Sequence, residues 1–319
     1  MVVLTPKQGC VHVNTSKRQP VVAVLLSTFN GALYLPEFLE SLTTQRRPPD
    51  RLVFRDDGSR DASPAIVESW AREAGVELEK IVGLPLGPSR SFLTMLATAR
   101  PADVTMLADQ DDVWLPKKIA RAVGRLPLGL DAPPTLYASA LRVTDAQLRP
   151  LRDTVLPRHL GFASAACESV LTGCTMALNP ALAALARAGT PARVQMHDWW
   201  LYMLATATGD VVFDAEPTIL YRQHGMNAVG AAPTGWRALR ARAQRLGSAT
   251  GVRRSEQLAQ LLALYNTSMR PEAVRLAQLL AGTRSSTTAR VRAAVTAPLR
   301  RQSDPNALTT RIAILTNYF

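Results

Sequence analysis

Three carboxylates stand within four residues at Asp109, Asp111 and Asp112, in the run LADQDDVW. Acids this close repel one another, and the arrangement is tolerated in an exposed acidic turn or around a bound cation. A Mg2+ or Mn2+ ion held by one or two carboxylates completes its shell with water and substrate phosphates. The cation reading therefore points to phosphate-bearing substrates. A second acid pair, Asp56 and Asp57, opens the turn DDGS. A further acid, Asp198, lies in MHDWW between His197 and the bulky Trp199 and Trp200. It fits two roles, a general base in a cleft or a carboxylate complementing the positive end of a helix. His224, in YRQHGMN, can ligate a metal or meet a phosphate, although a lone histidine is more often structural.

The elements that position these residues are legible in the apolar pattern. Residues 21–26 form a continuous apolar run, as expected of a strand buried on both faces. Leu35, Phe38, Leu39 and Leu42 fall at i, i+3, i+4 and i+7, which predicts an amphipathic helix. A second strand is expected over 52–54, then a helix capped by Ser63, with Pro64 in its first turn and Gly75 at its end. A third strand is expected over 81–84, a helix through Phe92, Met95, Leu96 and Ala99, and a fourth strand over 104–108. This alternation predicts a parallel α/β sheet. Ligands of such sheets bind beyond the carboxyl ends of the strands. All four loops there, at 27–31, 56–59, 87–90 and 109–112, are polar.

Beyond residue 115 the order is less regular. Helices are expected over 116–126, 180–188 and 197–207, and strands over 135–141, 170–178 and 211–213, with another ending at Tyr221. From residue 231 the chain reads as helices rich in Arg, Ala and Leu, broken near 247–251, 270–271 and 285–288.

Composition excludes several classes. The chain has 319 residues, of which 47% are hydrophobic and 19% charged, so it can bury a core and is not a disordered tail. No apolar run reaches the ~18–20 residues of a membrane span. Cys10, Cys167 and Cys174 are too few and too scattered for a disulfide framework or a structural zinc site. The first twenty residues lack the apolar centre of a signal peptide, and a reducing, cytoplasmic setting is expected. No phosphate-loop motif, no GxGxxG after a strand and no GxSxG elbow occurs, so chemistry organised by acids and a metal is expected.

Charge is concentrated. Residues 231–319 carry fourteen arginines, no lysine and three acids, giving +11 of the chain's +12. Such a segment suits an anionic membrane surface, a nucleic acid or a solvated helical appendage. No zinc-finger spacing or RNP-type aromatic run accompanies it, so no nucleic-acid partner is expected.

The stretches LLSTFNGALYLPEFLESLTTQ, FRDDGSRDAS, LADQDDVWLPKKI, LTGCTMALN, HDWWLYMLA and ILYRQHGMNAVG, in this order, resemble bacterial family 2 glycosyltransferases. Within that family the chain is most similar to the rhamnosyltransferase-like enzymes of cell-surface polysaccharide assembly, over about residues 21–230. Other hexosyltransferases share most of these motifs.

The resemblance implies a GT-A fold: a Rossmann-like, mostly parallel central sheet with flanking helices, here followed by a C-terminal helical region. It divides the chain into a tail over 1–20, a nucleotide-sugar-binding half over 21–115, an acceptor-binding half over 116–230 and the basic helical region over 231–319. Thr28, Asp56, Asp57 and Asp109 match positions that line the donor nucleotide. Asp111 matches the metal ligand, supported by Asp112, and His224 matches a residue near the metal and diphosphate. Asp198 matches the general base. Gly173 and Cys174 match the strand facing the acceptor, and His197 and Trp199 stand on the same side. The loop that often ends in Asn-Phe in such enzymes ends here in Ser91-Phe92.

The activity implied is inverting transfer, dependent on Mg2+ or Mn2+, of a sugar from a dTDP- or UDP-linked donor to a glycan or lipid-linked glycan. The sugar expected first is rhamnose, with galactose or glucose from a UDP donor as the alternative. The setting implied is the cytoplasm or the cytoplasmic face of the inner membrane, with peripheral contact to anionic lipid. A Mg-dependent nucleotidyltransferase is disfavoured by the loop Ser27-Thr28-Phe29-Asn30-Gly31, which lacks the basic residue needed to grip a triphosphate. A non-catalytic nucleotide-sugar-binding module would have no reason to keep metal acids and a base together.

Overall fold

The computed structural model describes residues 18–129, 131–224, 251–302, 304 and 306–319. Most of the expected N-terminal tail, Gly225 to Asn227 of the YRQHGMN run, and residues 231–250 lie outside the described residues.

The central sheet has seven strands: β1 (Val22–Thr28), β2 (Arg51–Asp56), β3 (Glu77–Lys80), β4 (Val104–Asp109), β6 (Thr135–Ser139), β9 (Ala177–Leu178) and β10 (Asp210–Asp214). They lie in the order β10-β6-β9-β4-β1-β2-β3. β4, β1, β2 and β3 are parallel, β9 runs antiparallel to both its neighbours, and β10 is parallel to β6. A second, four-stranded sheet joins β5 (Val113–Trp114), β11 (Ile219–Arg222), β7 (Arg142–Thr144) and β8 (Pro150–Asp153) in that order. The expected GT-A-type α/β architecture is present.

The apolar run of β1 follows from burial on both faces. Val22, Val24 and Leu26 enter one core with α1 (Leu35–Thr43), α2 (Ser63–Ala74) and α4 (Lys118–Arg125). Ala23 and Leu25 enter the other, with α3 (Pro88–Thr98), α5 (Phe162–Ala165), α6 (Pro180–Ala188) and α7 (His197–Thr208). Alternation of side chains across a strand produces this division.

α7 is apolar nearly all round and buried from Trp199 to Ala207, as a helix enclosed by other elements must be. It is enclosed partly by the C-terminal helices α8 (Arg254–Tyr265), α9 (Pro271–Ala281), α10 (Thr287–Thr296) and α11 (Leu308–Leu315). Leu258, Leu261, Leu276, Leu280 and Ile314 share one core with Trp200 and Leu204. The basic region is thus built onto the back of the domain over its described length.

Three local expectations are corrected. The third strand is Glu77–Lys80, not residues 81–84, because it is an edge strand paired only to β2. An edge strand needs no apolar run, and its charges guard an open ladder. The apolar Val82 and Leu84 are instead exposed in the loop that follows. Only Ala177–Leu178 of the 170–178 stretch pairs as a strand, and Gly173–Thr175 forms a buried 3-10 turn. Ser63 does not cap α2. Its hydroxyl donates to Asp61 Oδ1 and accepts from Gly31 N–H at 2.8 Å, which ties the helix to the loop after β1.

Candidate active site

The four parallel strands deliver their loops to one edge, and those loops are bonded to one another. Thr28 Oγ1 donates to Asp56 Oδ1 at 2.7 Å, and Asp57 N–H donates to the Thr28 carbonyl at 2.8 Å. Gln110 bridges to the loop after β1. It accepts from Phe29 N–H at 2.9 Å and donates to the Phe29 carbonyl at 3.0 Å.

Asp56 also accepts from Gly58 N–H, Ser59 N–H and the Ser59 hydroxyl. Burial raises its pKa, but these hydrogen bonds outweigh it and hold the group below the usual carboxylate value. Asp57 is more committed still. It accepts from Leu86 N–H at 2.7 Å, Gly87 N–H at 2.6 Å and the Ser91 hydroxyl at 2.9 Å. The buried Arg55 reaches the same place, donating to Ser91 Oγ and the Leu84 carbonyl. Asp57 therefore fastens the loop after β3 to the loop after β2. Ser91, standing at the departure from the Asn-Phe pattern, is part of that fastening.

The acid cluster has two layers. Asp111 faces outward, with its Oδ2 2.8 Å from His224 Nε2, and the His224 ring stacks on Tyr34 at 4.5 Å. Asp112 lies beneath and is buried. Its Oδ1 accepts from Arg222 N–H at 3.2 Å, and its Oδ2 has no hydrogen-bond partner among the described residues. Asp109, Asp112 and Cys174 each offer a ligand atom within 4.8 Å of the others. Burial first, then the neighbouring acids, push the Asp112 carboxyl and the Cys174 thiol well above their usual values.

Two residues of this layer escaped the sequence reading. Lys118 is fully buried, its Nζ 4.6 Å from the centre of the Trp114 ring and electrostatically coupled to Asp112 and Cys174. Burial lowers its pKa to about 8. Its position was readable, since Lys118 falls four residues before the inward-facing Ala122. Arg222 is buried too. It donates to the Asp111 and Ala146 carbonyls, pairs with Glu37 and lies 5.0 Å over the Tyr34 ring. It pins the acid loop to α1 and β11.

Asp198 occupies the first turn of α7, as the sequence predicts, and its charge acts on Asp109. Trp200 is core, and Trp199 is turned inward, its Nε1 donating to the Ala165 carbonyl at 2.7 Å. Neither tryptophan faces open solvent. His197 is buried as well, stacked on Phe92 at 4.3 Å, with neither ring nitrogen hydrogen-bonded among the described residues. A Cβ at Gly173 would stand 2.9 Å from His197 Nε2 and 3.4 Å from Asp198 Cβ. Glycine at 173 is therefore what lets the α7 turn approach the acid cluster.

Comparison with known proteins bears on what this edge does. A family model described as glycosyl transferase family 2 matches residues 23–131. These residues form a family 2 glycosyltransferase domain. An uncharacterized glycosyltransferase of Nostoc sp. is 30% identical over 102 residues, covering 32% of this chain and 31% of that protein. The dTDP-rhamnosyl transferase RfbG of Shigella flexneri is 25% identical over 217 residues, covering 65% of this chain and 74% of that protein. Among solved structures, S. aureus TarS 1–349 in complex with UDP-GlcNAc has a TM-score of 0.53 at 13% identity, covering 93% of this chain and 91% of that one. The mannosyltransferase PcManGT from Pyrobaculum calidifontis, in complex with GDP-Man and Mn2+, has a TM-score of 0.51 at 20% identity, covering 94% and 75%. These two likenesses concern the fold.

The acid edge fits a hard divalent cation. Asp111 and His224 abut at the outer layer, and an orphaned buried carboxylate oxygen lies beneath them. Carboxylate oxygens suit Mn2+ or Mg2+, whereas Cys174, held as a neutral thiol, suits neither.

The same crowding gives the site a pH signature. Burial, then Asp111 and Asp198, raise the Asp109 pKa from 3.8 to about 7. Between those values the folded state holds a proton that the unfolded chain has lost, so this group's contribution to stability falls as pH rises through the window. Asp56 and Asp214, whose pKa values are lowered, act in the opposite direction but below the ordinary carboxylate value, outside this window. The Asp109→Asn variant tests the assignment. Between about pH 5 and about pH 7.5, without metal, its melting temperature should fall less, or rise more, than that of the unmodified protein. Identical pH profiles would show that Asp109 does not titrate there.

Proposed function

We propose that this chain is an inverting, metal-dependent glycosyltransferase that moves rhamnose from dTDP-rhamnose to a glycan or lipid-linked glycan of the cell surface. The observation that carries the reaction class is the meeting of the four strand loops, the acid cluster and the first turn of α7 at one sheet edge. The choice of rhamnose rests on the likeness to RfbG.

In this reading Thr28 and Asp56 meet the donor nucleotide, and Asp57 acts through the loop it fastens. Asp109 faces the ribose or diphosphate. Asp111 and His224 hold the metal, and Asp112, with Lys118 and Arg222 around it, keeps that loop in place. A bound divalent cation supplies charge neutralisation on the departing nucleoside diphosphate. Asp198 takes the proton of the acceptor hydroxyl as that oxygen attacks the sugar carbon opposite the leaving group. Protonated Asp198 and an inverted glycosidic bond result, with no covalent glycosyl-enzyme. His197 and Gly173 set the height of Asp198.

The experiment is a panel of nucleotide sugars and free nucleotides scored by thermal shift with and without Mn2+. dTDP-rhamnose should raise the melting temperature most, and more with the metal than without it. A larger shift with a UDP-hexose would replace the sugar and keep the reaction class. A larger shift with nucleoside triphosphates than with every nucleotide sugar would overturn both.

A further inference from the structure

We propose that α10 and α11 form a docking surface for an anionic lipid bilayer, set beside the acceptor side of the enzyme. The benefit to a lipid-linked acceptor rests on the function proposed above; the docking itself does not.

The two helices are apolar on faces that should be polar. α11 buries Thr310, Ala313 and Ile314. On its other side Leu308, Ile312 and Leu315, spaced i, i+4 and i+7, are 59%, 50% and 48% exposed. A helix resting on a core normally turns polar residues to water along that row. α10 repeats the pattern. It buries Ala293 and Ala294, while Val291 and Val295, one turn apart, are exposed. The helices pack on each other, and Arg311 joins them by donating to the carbonyls of Ala294 and Ala297.

Charge selects the occupant. Residues 251–319 hold ten arginines, no lysine and three acids. Arg284, Arg292 and Arg300 on or beside these helices are exposed and form no ion pair among the described residues. In a two-fold pairing of the chain with itself, one basic surface would face another. Lipid phosphates complement it, and guanidinium groups bind phosphate well. No helix of the described residues is long and apolar enough to cross a membrane, so the helices would lie in the interface.

Position ties the surface to the site. Phe319 follows α11, and its carbonyl accepts from Ser255 N–H and Oγ. The Arg254 guanidinium lies 5.5 Å over the Phe319 ring and 5.8 Å over the Trp199 ring. One side chain therefore separates the end of this region from the residue next to Asp198.

The test is co-sedimentation of the full chain with vesicles of phosphatidylcholine alone or mixed with phosphatidylglycerol. Binding should require the anionic lipid and fall steeply with salt. Each charge reversal, Arg292→Glu or Arg284→Glu, should weaken it ~5-fold or more. The apolar variants Val295→Asp and Ile312→Asp should also weaken it, with melting temperature as the folding control. Equal binding to both vesicles, no binding, or binding unmoved by all four variants would overturn the proposal. So would a dimer that these variants dissociate and that never binds vesicles, which would assign the surface to a second copy. Hydrolysis of the sugar donor without vesicles reports separately on the glycosyltransferase function and should be unchanged by these substitutions.

Discussion

Asp198→Asn should lower the turnover number for sugar transfer by ~10²-fold or more while leaving donor affinity nearly intact. The amide keeps the shape of the carboxylate and removes its basicity. It also keeps an acceptor for Trp199 N–H, which now donates to Asp198 Oδ1 at 2.7 Å, so the α7 turn should hold. General-base assistance contributes ~10²–10⁴ in rate, and it belongs to the transition state, not to the bound donor. The measurement is a steady-state series in donor and acceptor, with donor affinity read independently by titration. Loss of donor affinity with an unchanged turnover number at saturation would make Asp198 a donor ligand.

Much of the frame that holds Asp198 was legible because burial writes itself into local sequence. β1 is enclosed on both faces and shows it as an apolar run, and α1 lies on one face and shows the helical period. β3 escaped because an edge strand of Glu, Leu, Glu and Lys is decided by its neighbour β2, not by its own composition. The short strands β7 and β8 escaped for a similar reason. They are held to each other by a ladder and the Arg142–Asp153 ion pair, and neither has a long apolar signature.

The site was legible where its chemistry is local and illegible where it is assembled. Asp109, Asp111 and Asp112 stand together in the chain. The residues that make that crowding tolerable come from far away: Arg222 lies 110 residues beyond Asp112 and donates to it, and Cys174 arrives from the turn before β9. An acid such as Asp57, in a loop at the right edge, has no sequence mark that separates holding a loop from holding a substrate. Its three donors, all about thirty residues ahead, tie it to the loop after β3.

Asp111→Asn should remove the dependence of donor binding on Mn2+. Three acids in one turn lower their mutual repulsion either by taking up protons or by admitting a cation. Burial and the neighbouring acids push the Asp109 and Asp112 carboxyls in the first direction. Asp111 is the outward member, and His224 at 2.8 Å is the neighbour with which it can share an ion. The asparagine retains an oxygen but loses the charge, which weakens a hard-cation site more than it disturbs the fold. Perturbing a metal's surroundings costs ~10–100-fold in affinity, and loss of a charged ligand should cost at least as much. The experiment is donor affinity against Mn2+ concentration, with His224→Ala beside it. Both variants should bind donor as the unmodified protein does without metal and gain little when Mn2+ is added. If Asp111→Asn keeps the full metal response, the ligand role passes inward to Asp109 and Asp112. The outer pair would then be a hydrogen bond that closes β11 over the acid loop.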